Sequence, residues 1–304
     1  MKTLGGWQFW SDVRFFCEWR IQRHVYTGHF RLIDPKNHRF AFGSLETCLA
    51  KLAEIKLDRN LTPMSGKAII VVHGILRTSG TFAKMCPALR KAGYTVVEFE
   101  YPSTRIGIVD AAGDLRQIIE SLEGIEEINF VVHSMGGLVV RAYLKEHRDP
   151  RIKRMVMLAV PNQGAEMADL LRKSHAVRLL LGPAVRQLVT DRNGLIPTLP
   201  IPDFEFAIIA GARGHKSGFN PLIPGDDDIL VTVASAQLPG AADSMTVRSF
   251  HRFIPGNAEA IGATIRFLQT GSLRQDGTCH PIPRETATLQ PHVEKQPASA
   301  SECQ

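Results

Sequence analysis

The sequence predicts an α/β fold: a doubly wound, mostly parallel sheet with helices on both faces. Three observations carry this expectation. Apolar runs rich in β-branched residues at 68–72, 94–99, 128–132 and 155–160 have the unbroken character of strands buried on both faces. Segments of helical period at 81–92, 111–122 and 137–146 follow the first three runs; in the second, Leu115, Ile118, Ile119 and Leu122 share one face. Strand and helix therefore alternate at the pitch of βα units, and right-handed crossovers place the helices on both faces. With 304 residues, 44% hydrophobic and 22% charged, the chain can bury such a core without covalent staples.

The elements divide into three regions. Residues 1–66 are an N-terminal extension. Its β-prone residues 20–33, centred on Thr27-Gly28, predict a hairpin. Ser44 is placed to cap a helix reaching residue 56, with Leu45, Leu49, Leu52 and Ile55 at helical spacing. Residues 60–66, with Pro63 and Gly66, read as a linker. Residues 67–270 form the main domain, interrupted by a small helical cap insertion at 164–204. Helices are expected there at 165–173 and 175–188, before Pro197, Pro200 and Pro202. Leu179, Leu180, Leu181 and Leu188 would either line a pocket or join the core. The sheet resumes at 206–210 and 245–250, and a helix at 258–268 closes the domain. Residues 271–304, rich in Pro, Thr, Ser and Gln, read as a disordered tail.

Composition narrows the function classes. The five cysteines, Cys17, Cys48, Cys86, Cys279 and Cys303, are scattered and odd in number, so neither a disulfide framework nor a metal site is expected, Cys279-His280 included. No apolar run reaches the roughly 18 residues that span a bilayer, and Asp12, Arg14 and Glu18 break up any secretory leader. A cytoplasmic location follows as the expectation. The net charge of +6 is concentrated early: seven Lys and Arg against three acids in residues 1–40, together with Trp7, Trp10 and Trp19. Such a segment either packs onto the main domain or rests peripherally on an anionic membrane. No basic recognition helix or nucleic-acid motif is present, so no nucleic-acid partner is expected.

The chemistry is concentrated in Ile128-Asn-Phe-Val-Val-His-Ser134-Met135-Gly136-Gly137. A strand runs directly into a serine, then glycines, then an amphipathic helix. That context lifts the serine hydroxyl clear of the sheet on a strained turn, with small neighbours letting strand and helix pass closely. Two residues before Ser134, the G-x-S-x-G pattern has Gly and this chain has Val132.

His-Ser-Met-Gly-Gly resembles the nucleophile elbow of bacterial lipases and esterases of the α/β-hydrolase superfamily. Ala68-Ile-Ile-Val-Val-His73-Gly74-Ile75 resembles the strand and His-Gly loop that precede the oxyanion hole there. The resemblance covers about residues 67–268. It implies Ser134 as nucleophile, with the backbone N–H of Met135 and of Ile75 or Leu76 as oxyanion donors and His73 supporting the loop. A serine needs a base, and the base an orienting acid, in the chain order Ser, acid, His. Pro224-Gly-Asp226-Asp227-Asp228-Ile229-Leu230-Val231 resembles the acid loop. Alignment on Leu230-Val231 selects Asp228, with Asp226 and Asp227 as rivals, and Ile229 stands where the family often has Gly. Ser249-Phe250-His251 supplies His251 as base; His215 precedes the acid loop, and His280 and His292 lie in the tail. Pro161-Asn-Gln-Gly164 resembles the turn after the sixth strand of some bacterial members.

The resemblance implies a serine hydrolase acting on a small-molecule or lipid carboxylic ester, with a Ser-Asp-His triad and no metal or organic cofactor. Two alternatives stay open: a lipase, phospholipase or lipid-anchor deacylase at a membrane surface, and a non-catalytic binding protein on a hydrolase-like fold.

Overall fold

The computed structural model describes residues 8–165, 182–191 and 193–284. Four strands come first: β1 (Trp10–Phe16), β2 (Trp19–His24), β3 (Phe30–Ile33) and β4 (Arg39–Gly43), paired antiparallel in that order. The hairpin expected over 20–33 is the β2–β3 pair. Helix α1 (Leu45–Asp58) begins at Ser44, whose side chain accepts the Thr47 N–H, and buries Cys48, Leu52 and Ile55. The sequence reading left the remaining strands out because their apolar residues are interleaved with Arg and Asp.

The second sheet has six parallel strands in the order β10-β9-β8-β7-β5-β6. In chain order it comprises β5 (Gly66–Val72), α2 (Met85–Lys91), β6 (Thr95–Phe99), α3 (Ile108–Ser121), β7 (Ile125–His133), α4 (Met135–Glu146) and β8 (Ile152–Leu158). After the insertion follow β9 (Glu205–Ala212), the single turn α5 (Val233–Ala236), β10 (Asp243–Arg248) and α6 (Ala258–Thr270). The strands separate two apolar layers. Ile70, Val72, Phe130 and Val132 join one; Ile69, Val71 and Val131 join the other. This alternation is why the strands read as continuous apolar runs.

The N-terminal sheet is bound to this domain. Arg23 pairs with Asp114 of α3 at 2.6 Å, and Phe15 N–H donates to the Ser121 hydroxyl. Trp19, Phe15 and Phe16 are buried, and Trp10 lies beneath the Arg31 guanidinium at 4.1 Å. The aromatic surface of these residues is spent on packing, while Trp7 lies outside the described residues.

Asp12, wholly buried, ties β1 to the end of β6. Its carboxylate accepts from Gln22 Nε2 at 2.7 Å and from the Glu100 N–H at 2.9 Å, with Arg20 at 4.0 Å. Burial pushes this carboxyl up to about 6, opposed in part by Arg20 and the two hydrogen bonds. The folded chain thus retains a proton that the unfolded chain has released, so Asp12 favours the fold below the folded value and opposes it above. Its contribution should grow by about 3 kcal/mol as pH falls from above 6 to below 4. Asp12→Asn is expected to lose this part of the pH dependence, because the amide does not titrate. Urea unfolding of both proteins at several pH values checks it; parallel curves would contradict the assignment.

Two expectations are corrected. Of the helix expected at 175–188, the described end is a 3₁₀ turn, Pro183–Gln187. Gly182, at φ +72, and Pro183, which has no N–H, interrupt a helical ladder there. Leu188 is buried in the main core, whereas Leu179, Leu180, Leu181 and the helix expected at 165–173 lie outside the described residues, save the buried Ala165. The tail expected to be disordered from residue 271 is held in place as far as residue 284. The buried Asp243 carboxylate accepts from the N–H groups of Leu273 and His280 and from Arg274 Nη1, at 2.7–2.8 Å. Gly240 and Ala241 exchange backbone hydrogen bonds with Ile282. Few apolar residues were needed because charge-assisted hydrogen bonds do the fixing.

Candidate active site

The turn between β7 and α4 presents Ser134 at φ +54 and ψ −130, a conformation costly for a residue with a Cβ. The neighbouring chain over-determines it. Ser134 N–H donates to the Leu158 carbonyl at 3.0 Å, and Gly137 N–H returns to the Ser134 carbonyl at 3.1 Å. A Cβ at Gly136 would collide with the Val72 carbonyl, and one at Gly137 with the Val160 side chain. Val132 is accommodated because its side chain enters the core between Val72 and Met157, its partners on β5 and β8. The close approach that needs glycine lies at 136 and 137.

The structure brings Ser134, His251 and Asp228 together, from positions 117 and 23 residues apart. His251 Nε2 is 2.9 Å from Ser134 Oγ, and His251 Nδ1 is 2.8 Å from Asp228 Oδ2. The tautomer that satisfies both contacts carries its proton on Nδ1, donates it to the carboxylate, and accepts the serine proton at Nε2. All three side chains are nearly or fully buried. The site occupies the carboxyl ends of β7 and β9 and the turn after β10, where open α/β sheets carry their sites.

The three consecutive aspartates have separate partners. Asp226 accepts the N–H groups of Arg213 and Gly214. Asp227 is buried and accepts those of Asn220 and Ile229. Asp228 receives the Leu230 and Val231 N–H groups on Oδ1, leaving Oδ2 for His251. Ile229 takes φ +93, the conformation that glycine adopts without strain. Asp227 and Asn220, which clamp its N–H and carbonyl, hold it there. Gly211, at the end of β9, is a site residue that sequence reasoning missed: a Cβ there would press on the Asp228 Cβ at 2.6 Å and the Ser249 carbonyl at 3.0 Å.

The loop after β5 passes against the serine. A Cβ at Gly74 would lie 2.9 Å from Ser134 Cβ. Leu76 then turns at φ +56. No described residue accepts a hydrogen bond from the N–H of Ile75 or Leu76, and Met135 opens α4, where helical N–H groups have no internal acceptor. His73 makes no hydrogen bond to Ser134, Asp228 or His251. Its Nδ1 is 2.9 Å from the Gly74 carbonyl, its Nε2 3.5 Å from Glu100, and its ring stacks on Tyr101. Burial would raise the Glu100 carboxyl, but His73 and the two donors of Ser79 hold it below its ordinary value. The Glu100 carbonyl accepts the Asp12 N–H and the Glu100 N–H donates to the Asp12 carboxylate, so the N-terminal sheet braces the loop behind Ser134.

His133 is a second residue that the sequence reading passed over. Its Nε2–H donates to the His251 carbonyl at 3.0 Å. Burial, with the nearby His251, drives its pKa well down and keeps the ring neutral. Asn162, in the turn after β8, donates to the Ala236 carbonyl and accepts from the buried Arg141. Arg141 also donates to the carbonyls of Leu199 and Pro200, which pins the end of the insertion to α4.

A family model for the alpha/beta hydrolase fold matches residues 67–194. No curated protein matches the chain by sequence. Among solved structures, the chain is similar to the mature form of the Bacillus licheniformis lipase BlEst2, at 21% identity and a TM-score of 0.51, over 69% of this chain and 94% of that one. For the propeptide form of BlEst2 the values are 22% and 0.53, over 75% of this chain and 54% of that one. Phospholipase PlaB from Legionella pneumophila is similar at 14% identity and a TM-score of 0.51, over 69% of this chain and 60% of that one. The chain thus spans little more than half the length of the latter two. Likeness at such identities speaks for the fold, as does the order of the six parallel strands around the β7–α4 elbow. Residues 67–194 match that family model, and the chain has the alpha/beta hydrolase fold.

Proposed function

We propose that the chain is a serine hydrolase that cleaves carboxylic esters through an acyl-enzyme. The observation that carries this reading is the unbroken hydrogen-bonded line from Ser134 Oγ through His251 to Asp228. A serine hydroxyl is a poor nucleophile until a base takes its proton. His251 Nε2 takes that proton as Oγ attacks the ester carbonyl, and Asp228 steadies the imidazolium that forms. Negative charge then develops on the carbonyl oxygen. The Met135 N–H at the start of α4, and that of Ile75 or Leu76, receive it. His251 returns the proton to the departing alcohol. Water then repeats the sequence on the acyl-enzyme and regenerates Ser134. The lipase and phospholipase among the similar structures accord with an ester substrate.

A fluorophosphonate probe tests the reading directly, because it forms a stable adduct only with an activated serine. Mass spectrometry of the labelled full-length chain is expected to find one adduct, on the peptide containing Ser134. Folded protein that stays unlabelled, or that is labelled elsewhere, would support the non-catalytic alternative.

A further inference from the structure

We propose that the open cavity between the loop that follows Gly74 and the turn that follows His251 receives an anionic group, a carboxylate or a phosphate, carried by the ester substrate; the proposal rests on the hydrolase reading above and names its substrate class. The cavity, of about 920 Å³, has Leu76, Arg77 and Lys84 on one wall and Ser249, Arg252 and Phe253 on the other. Leu76 stands two residues after Gly74, the glycine pressed against Ser134, and Arg252 directly follows His251. The cavity walls are thus continuous in the chain with the residues on both sides of the Ser134–His251 pair.

The charge of this cavity is one-sided. Three cations line it, and no acidic residue does so among the described residues. Several other arginines have a carboxylate partner: Arg23 has Asp114, Arg151 has Asp149, Arg154 has Glu205 and Arg274 has Asp243. In the cavity, neither Arg77 nor Lys84 has a hydrogen bond or ion pair to any described residue, and Arg252 only lies over the Phe253 ring at 4.8 Å. Like charges held together without a counter-charge are unfavourable. Partial burial and the nearby Arg252 accordingly hold Arg77 below the ordinary arginine value. An anion removes that penalty, and two guanidinium forks match a carboxylate or phosphate in geometry. The half-exposed Leu76 and Phe253 beside the cations suit the apolar part of the same substrate.

Matched ester pairs test this. One pair is p-nitrophenyl butyrate and mono-p-nitrophenyl glutarate, which puts a carboxylate on the acyl side. The other is 1-octanoylglycerol and its 3-phosphate, which puts the anion on the alcohol side. In at least one pair, kcat/KM is expected to favour the anionic member by about tenfold or more, the scale of a charge-assisted hydrogen bond. That ratio should fall towards one in the Arg77→Gln/Arg252→Gln double variant, in the exposed Lys84→Gln variant, and with added salt. Because the readout is a ratio, general damage to the site cancels. Turnover with no preference in either pair would overturn the proposal while leaving the hydrolase reading standing. A second measurement needs no turnover: calorimetric titration of Ser134→Ala protein with glycerol 3-phosphate. Binding that is lost with both arginines supports the cavity assignment even if no ester is cleaved, and absence of binding together with absence of preference rejects it.

Discussion

Ser134→Ala is expected to lower kcat for p-nitrophenyl butyrate by about 10⁶-fold, with the fold unchanged. The side chain makes one hydrogen bond, to His251 Nε2, and the β7–α4 turn is held by backbone contacts to Leu158 and by the glycines at 136 and 137. Removing the hydroxyl therefore takes away the nucleophile and little else. Alanine accepts the backbone conformation of position 134 no better and no worse than serine, since both carry a Cβ. Steady-state kinetics, with thermal unfolding as the control, check the result. A folded variant that retains more than a tenth of the activity would remove Ser134 from the mechanism.

Asp228→Asn is expected to lower kcat by about 10⁴-fold, again without unfolding the chain. The asparagine oxygen can still accept from the Leu230 and Val231 N–H groups, as Asp228 Oδ1 does. Its amide then points a donor at His251 Nδ1, which selects the tautomer with the proton on Nε2 and leaves no acceptor for the serine hydrogen. The two neighbouring aspartates are the controls. Asp226→Asn and Asp227→Asn weaken hydrogen bonds to Gly214 and Asn220 and leave the carboxylate facing His251 intact. Asp227→Asn is expected to cost stability of about 1–3 kcal/mol, since the group is buried, and to spare the chemistry. If Asp227→Asn carried the loss of activity instead, the acid would be misassigned.

The choice among these aspartates shows where local reading stops. The family resemblance pointed to an acidic loop between β9 and β10, and the strand pattern on either side is legible in short segments. Three adjacent carboxylates differ only in what each meets, and their distant partners lie 7 to 13 residues upstream or 23 downstream in the chain. Ile229 is a further instance. By type it argues against the glycine-like turn that the loop needs, yet it adopts φ +93 because Asp227 and Asn220 grip both its backbone groups. Val132 departs from the elbow pattern without consequence, since the strand–helix contact is made at Gly136 and Gly137.

The order of serine, acid and histidine rests on the family resemblance, whereas the sequence by itself determined the βα alternation of the main domain and the strand–serine–helix turn at Ser134. Both of the latter are written in the period or spacing of a short stretch of chain, where covalent geometry and apolar patterning act directly. The tertiary structure alone decided which aspartate meets His251, that His133 steadies the His251 backbone, and that Glu100 links the N-terminal sheet to the loop behind Ser134. It also decided that residues 271–284 are fixed by Asp243, and that Arg77, Lys84 and Arg252 line one cavity with no acidic residue among the described ones. These depend on side chains brought together across tens of residues, where burial raises the strength of a hydrogen bond or a charge and no local pattern reports it.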